Sequence, residues 1–125
     1  LARFSKTAKT QAEFLNRVAK LNVPLVGVDP AIVLSYRDEY KEALGDSRGD
    51  FHVLTAHEWL TNQLESNTLQ SAVKNIAKSD RTFEWHLFPH CTESTFMPNS
   101  PKEWQYIFLR YWNKRQLIIN LSFTH

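Results

Sequence analysis

The run Pro24-Leu25-Val26-Gly27-Val28, stopped by Asp29-Pro30, constrains the fold of this chain more than any other stretch. A short apolar run of this kind reads as a strand buried on both faces. Asp followed by Pro is a strong helix start, because the carboxylate accepts from backbone N–H groups that have no helical partner and proline has no N–H to leave unpaired. The helix is expected from Pro30 to about Leu44, with Gly45 supplying a left-handed exit. The result is a strand-turn-helix unit. In open α/β sheets, function gathers where such strands end.

The rest of the chain repeats that alternation. Thr10-Gln11-Ala12-Glu13 has the form of a capping box, with Phe14, Leu15, Val18 and Leu21 then on one helical face, ending near Asn22. A turn over 45–50 leads to a second apolar run, Phe51 to Leu54. Thr55-Ala56-His57-Glu58 is a further capping box and opens a helix carrying Trp59, Leu60 and Leu64. In the polar middle, from Glu65 to Arg81, Leu69, Val73 and Ile76 keep helical spacing. Phe83 to Phe88 reads as a strand closed by Pro89. His90 to Asn99 reads as a loop. Ser100-Pro101-Lys102-Glu103 combines a capping box with proline at the first helical position and starts a helix with an apolar face of Trp104, Ile107, Phe108, Tyr111 and Trp112, and Leu117 to Leu121 forms the last strand.

Helices between short apolar strands imply βαβ units. The expected class is therefore α/β, a three-layer sandwich with a mostly parallel sheet in a Rossmann-like or flavodoxin-like topology. Strands are expected at about 24–28, 51–55, 83–88 and 116–121. A length of 125 residues fits one domain.

Composition excludes several functions. Fifteen basic and 13 acidic residues leave a formal charge of +2, scattered without the dense cationic block that tracks a phosphate backbone, so nucleic acid is not an expected partner. No apolar run approaches the roughly 20 residues needed to span a bilayer, and LARFSKTAKT is no signal peptide. One cysteine cannot form an internal disulfide, which suits a reducing compartment, and a cytoplasmic location is expected. The opening on Leu1 and the ending Asn120 to His125, without a capping or stop signal, read as those of a fragment.

Candidate chemistry is sparse and centres on Cys91, in His86-Leu87-Phe88-Pro89-His90-Cys91-Thr92-Glu93. A cysteine on a strand-to-helix loop has the setting of a phosphatase nucleophile, but six positions on, where the phosphate-cradling arginine would stand, is Met97. His86, His90 and Cys91 could furnish three metal ligands, still lacking a fourth. The competing reading of Cys91 is a small buried apolar residue. Tyr36 and Tyr40 share a helical face and are expected in the core, with the charges of Arg37, Asp38 and Glu39 outward. His57, in a first helical turn, is expected to be structural or solvent-facing. The tryptophans at 59, 85, 104 and 112 read as core anchors. Gly27 stands alone before Asp29-Pro30, so the Gly-rich turn of a dinucleotide site is absent.

Val26-Gly27-Val28-Asp29-Pro30 running into Leu34 to Tyr40, then Phe51 to Leu60, then Phe88-Pro89-His90-Cys91-Thr92-Glu93, resembles the cysteine-rich CCG-type region. That region forms the carboxy-terminal part of FAD-linked, iron–sulfur D-2-hydroxyacid dehydrogenases of the D-lactate and D-2-hydroxyglutarate type. The resemblance runs from about Phe4 to Phe108. It implies the end of one CCG module over about 1–65 and the start of the next over about 82–125, within a larger multidomain oxidoreductase. Cys91 takes a family iron–sulfur ligand position, whereas Ile32 stands where many relatives carry cysteine. The CCG element would fall near Ser122, where this chain has no cysteine.

The resemblance thus implies FAD and an iron–sulfur cluster in the parent protein, with neither held by this fragment alone, and no catalytic residue within it. Expected partners are other domains of the same polypeptide. The implied function is electron transfer in oxidation of a D-2-hydroxy acid. The alternative is a cofactor-free scaffold or interaction domain whose cysteine site has decayed. Parallel strands in one sheet would deliver Cys91 to the same carboxyl edge as Asp29 and Ile32.

Overall fold

The computed structural model describes residues 2–68, 85–112 and 117–119. The helical spacing of Leu69, Val73 and Ile76, the ends of the third and fourth predicted strands, and the region of Ser122 lie outside the described residues. The chain forms two compact units, Leu1–Ala56 and His57–His125.

The first unit begins with α1 (Ala2–Ala19), followed by β1 (Leu25–Gly27). A continuous helical stretch then comprises α2 (Pro30–Leu34), a π-helical turn (Ser35–Glu39) and α3 (Tyr40–Leu44). A 3-10 turn (Gly45–Arg48) leads on to β2 (Val53–Thr55). β1 and β2 pair in parallel, Leu25 opposite Val53 and Gly27 opposite Thr55, so the unit is a strand-helix-strand crossover with α1 packed on α3 and on the 3-10 turn. The second unit holds α4 (Ala56–Glu65) from its second residue on, β3 (Trp85–Leu87), α5 (Cys91–Phe96), α6 (Ser100–Trp112) and β4 (Leu117–Ile119). β3 and β4 are also parallel.

The α/β class and the parallel pairing are as expected. Among the described residues the strands pair two by two, β1 with β2 and β3 with β4.

Asp29 caps α2 as expected. Its carboxylate accepts from the Ala31 N–H at 2.8 Å and the Ile32 N–H at 3.5 Å, and Pro30 takes the first helical position. Gly45 ends α3 with φ +53°. β1, however, is not buried on both faces: Val26 and Val28 are exposed, because only Leu25 and Gly27 turn toward the core.

Thr10 is not a cap either. It sits mid-helix with its hydroxyl donating to the Lys6 carbonyl, and α1 starts eight residues before it. The buried face of α1 is Ala8 and Ala12, flanked by Leu15 and Ala19, whereas Phe14 and Leu21 are exposed. Small residues at that spacing let α1 approach the core formed by Val33, Tyr40, Phe51 and Val53.

Tyr36 and Tyr40 pack together as expected, with ring centroids 4.9 Å apart and nearly perpendicular. The Tyr40 hydroxyl donates to Gln11 of α1. Burial, then the neighbouring Tyr36, pushes the Tyr40 phenol up. Arg37 does not follow the outward pattern of its neighbours: its Nη2 and Nε donate to the Val53 carbonyl at 2.7 and 3.0 Å, tying the π turn to β2.

Gly27 marks the closest helix-to-strand approach. A Cβ there would lie 2.3 Å from Cγ2 of Val33, a fully buried β-branched side chain with little rotameric freedom. Gly27→Ala should therefore destabilise the first unit by about 1–3 kcal/mol. Paired Gly27→Ala and Val33→Ala changes should cost less than the sum of the two, as a denaturant titration of the four proteins would read.

Candidate functional site

Cys91 follows β3 at its carboxyl end. Pro89 closes the strand and is buried, and His90 caps the next helix, its Nδ1 accepting from the Thr92 N–H at 3.2 Å. The segment expected as a loop over His90 to Asn99 is therefore largely helical. α5 occupies Cys91–Phe96, held by the Ser94 N–H on the His90 carbonyl at 2.9 Å and the Met97 N–H on the Glu93 carbonyl at 2.8 Å. Cys91 stands at its first position with an exposed thiol, so the reading of a buried apolar cysteine is overturned.

Ser100 opens α6 but does not make the expected capping box. The Lys102 and Glu103 N–H groups donate to the Asn99 carbonyl, at 3.0 and 3.1 Å. That leaves the Ser100 hydroxyl to donate to Glu93 Oε1. Trp104, one helical turn further, donates its indole N–H to the same oxygen at 3.0 Å. His57 of α4 completes the group: its Nδ1 lies 3.5 Å from Glu93 Oε1, and its Nε2 lies 3.1 Å from Glu103 Oε2. His57 is 2% exposed and Glu93 5%, so the cluster is interior, with the His57 and Trp104 rings 5.3 Å apart.

His57, expected to be structural or solvent-facing, is buried, with a carboxylate oxygen facing each ring nitrogen. Glu103 Oε2 is buried and has no aligned hydrogen-bond donor among the described residues, so its contact with His57 is electrostatic. Burial raises the Glu103 pKa above the ordinary 4.5, opposed by His57 and reinforced by Glu58 and Glu93. Glu93, Glu103 and Ser100 were not legible as a cluster in the sequence. The one available signal was Trp104, whose indole N–H needs an acceptor when buried.

His86, His90 and Cys91 do not converge. Among the described residues no group of three or more His, Cys, Asp or Glu side chains is placed to hold a metal ion. His90 is instead turned to its own helix as a cap. An iron–sulfur cluster takes about four thiolates, and this chain has one cysteine, exposed in the structure. A dinucleotide phosphate does not fit at Gly27, where the Val33 side chain fills the space over the backbone. In the first unit a cavity of about 600 Å³ is lined by Arg37, Lys41, Arg48 and His52, but also by Asp46 and Asp50, so its charge is mixed. No described helix is long and apolar enough to cross a membrane.

Parallel strand-helix-strand units with a lone thiol where a strand gives way to a helix define the class of this structure. Comparison with known proteins narrows it. Over 111 residues the chain is 77% identical to D-2-hydroxyglutarate dehydrogenase of Haemophilus influenzae and 52% identical to that of Escherichia coli. Over 118 residues it is 49% identical to D-2-hydroxyglutarate dehydrogenase of Pantoea ananatis. These matches take in 89%, 89% and 94% of the chain, which spans only 11%, 10% and 11% of the respective relatives. No protein-family model and no solved structure matches the chain.

The raised pKa of Glu103 has a defined sign. A carboxyl whose folded pKa lies above its unfolded value contributes stability that is fully present below the unfolded pKa and is lost as pH rises through the folded one. Carbon-13 titration should place the Glu103 midpoint above 4.5. Glu103→Gln should remove this part of the pH dependence of unfolding, and a midpoint at or below that value would contradict the assignment.

Proposed function

We propose that this chain is a segment of the iron–sulfur electron-transfer region of an FAD-linked oxidoreductase acting on a D-2-hydroxy acid. Cys91 is its one contribution to a cluster. The observation that carries this reading is the 77% identity over 111 residues to a D-2-hydroxyglutarate dehydrogenase. The exposed thiol at the carboxyl end of β3 supports it, since a ligand shared with other segments has to face outward.

On this reading the flavin and the hydroxy acid are bound by other domains of the same polypeptide, which are this segment's partners. The relatives' far greater length supports that division. The stretches 1–65 and 82–125 are the end of one CCG module and the start of the next, and the separate parallel strand pair in each unit is consistent with two modules. The bound cluster would accept electrons from reduced flavin, while the chain's own part is to hold one thiolate in place. A cytoplasmic compartment follows from the reducing conditions that a free ligand thiol requires.

The test is Cys91→Ser in the full-length dehydrogenase that contains this segment. Flavin content should be unchanged, while iron, acid-labile sulfide and the cluster's visible absorption fall by one cluster equivalent. Unchanged iron and sulfide would overturn the reading and favour a cofactor-free scaffold.

A further inference from the structure

We propose that Glu93 is a positioning residue for Cys91, setting the face of α5 from which the thiol projects. The inference rests on the reading of Cys91 as a cluster ligand. Its geometry stands on the buried cluster alone.

Three observations lead to it. Glu93 is the one buried residue of α5, whereas Cys91, Ser94, Thr95 and Phe96 are exposed. An isolated helix of six residues has no stability of its own in water, so its rotation about its axis must be set by what it anchors to. Here that anchor is one carboxylate. Glu93 Oε1 accepts from the Ser100 hydroxyl and from the Trp104 indole at 3.0 Å, and faces His57 Nδ1 at 3.5 Å.

Residues two apart on an α-helix lie about 200° around the axis. With Glu93 pinned inward, Cys91 is necessarily turned outward, as its exposure shows. A buried carboxylate is costly unless its oxygens are satisfied, and a rotated helix would leave Glu93 Oε1 without its donors. The network therefore penalises alternative rotations of α5. An apolar anchor, which has no direction, would not do this as sharply. Metal ligands have to be held within about half an ångström of productive geometry, which is the demand that such an anchor meets.

Cys91 is the sole cysteine of the 125-residue chain, so a trifluoromethyl thiol label reports from that position alone. In the native chain the label should give a single fluorine-19 resonance. Glu93→Ala should shift or split it by more than a linewidth in the folded population. Ser100→Ala should do so to a smaller degree, and Glu93→Gln, which keeps the acceptor oxygen, should restore the native position. A role confined to stability would lower the unfolding midpoint and leave the folded-state resonance where it is.

Coincident resonances in native and folded Glu93→Ala proteins would overturn the proposal. Should that variant fail to fold, the Ser100→Ala resonance decides in the same way. The ligand reading is separated by the iron content of full-length Cys91→Ser protein. A moved label with iron retained sinks the ligand reading and leaves the positioning intact, whereas an unmoved label with iron lost does the reverse.

Discussion

The buried guanidinium of Arg48 is the interaction on which the first unit depends. Its Nε donates to the Tyr36 carbonyl at 2.8 Å, and its Nη1 donates to the Gly49 and Phe51 carbonyls at 3.0 and 2.9 Å. Its plane lies 3.9 Å over the Phe51 ring. One side chain thus ties the π turn to the loop that delivers β2. Burial lowers its pKa, opposed by Asp50, and the guanidinium stays charged at neutral pH. Asn16 braces the same loop from α1, donating to the Arg48 carbonyl at 2.7 Å and accepting from the Phe51 N–H at 3.2 Å. Gly49 is required beside it, since its φ is +77° and a Cβ would meet the Asn16 amide at 2.4 Å.

Those contacts explain why some of the fold was legible in the sequence and some was not. Asp29-Pro30 and Gly45 act through their own backbone neighbours, so a local reading finds them. The apolar runs at 25–27 and 53–55 are legible for the same reason, although their two-by-two pairing is not, because strand partnership is decided by tertiary packing. Thr10-Glu13 misleads because its pattern is local while its fate is not. Ala8 and Ala12 bury against the core and carry the helix straight through Thr10. Arg37 reads as an outward charge and Arg48 only as part of a turn, and nothing local reveals that carbonyls from other elements accept from them.

The candidate site divides along the same line. Cys91 is conspicuous as the lone cysteine after a strand-ending proline, and its place at the end of β3 follows from that local order, whereas its exposure does not. Glu93, His57, Ser100, Trp104 and Glu103 come from three helices, and only the fold gathers them. Ser100 and Glu103 even spell a capping box, yet the Asn99 carbonyl takes the helix-start N–H groups, and the Ser100 hydroxyl turns to buried Glu93 while Glu103 faces His57.

The two units therefore solve one geometric problem with different chemistry. In each, a parallel strand runs into a capping residue, Asp29 or His90, and then a helix whose first turn carries an exposed side chain, Ile32 or Cys91. In the first unit the helical stretch is long and is fixed by burial of Val33 and Tyr40 together with the bonds of Arg37 to the Val53 carbonyl, of Arg48 to the Tyr36 carbonyl and of Tyr40 to Gln11. In the second, a six-residue helix is fixed by a carboxylate among three polar partners. Buried polar networks add less to stability than apolar packing of the same volume, and their worth here lies in direction. In the second unit that directional anchor sits on the short helix that carries the thiol.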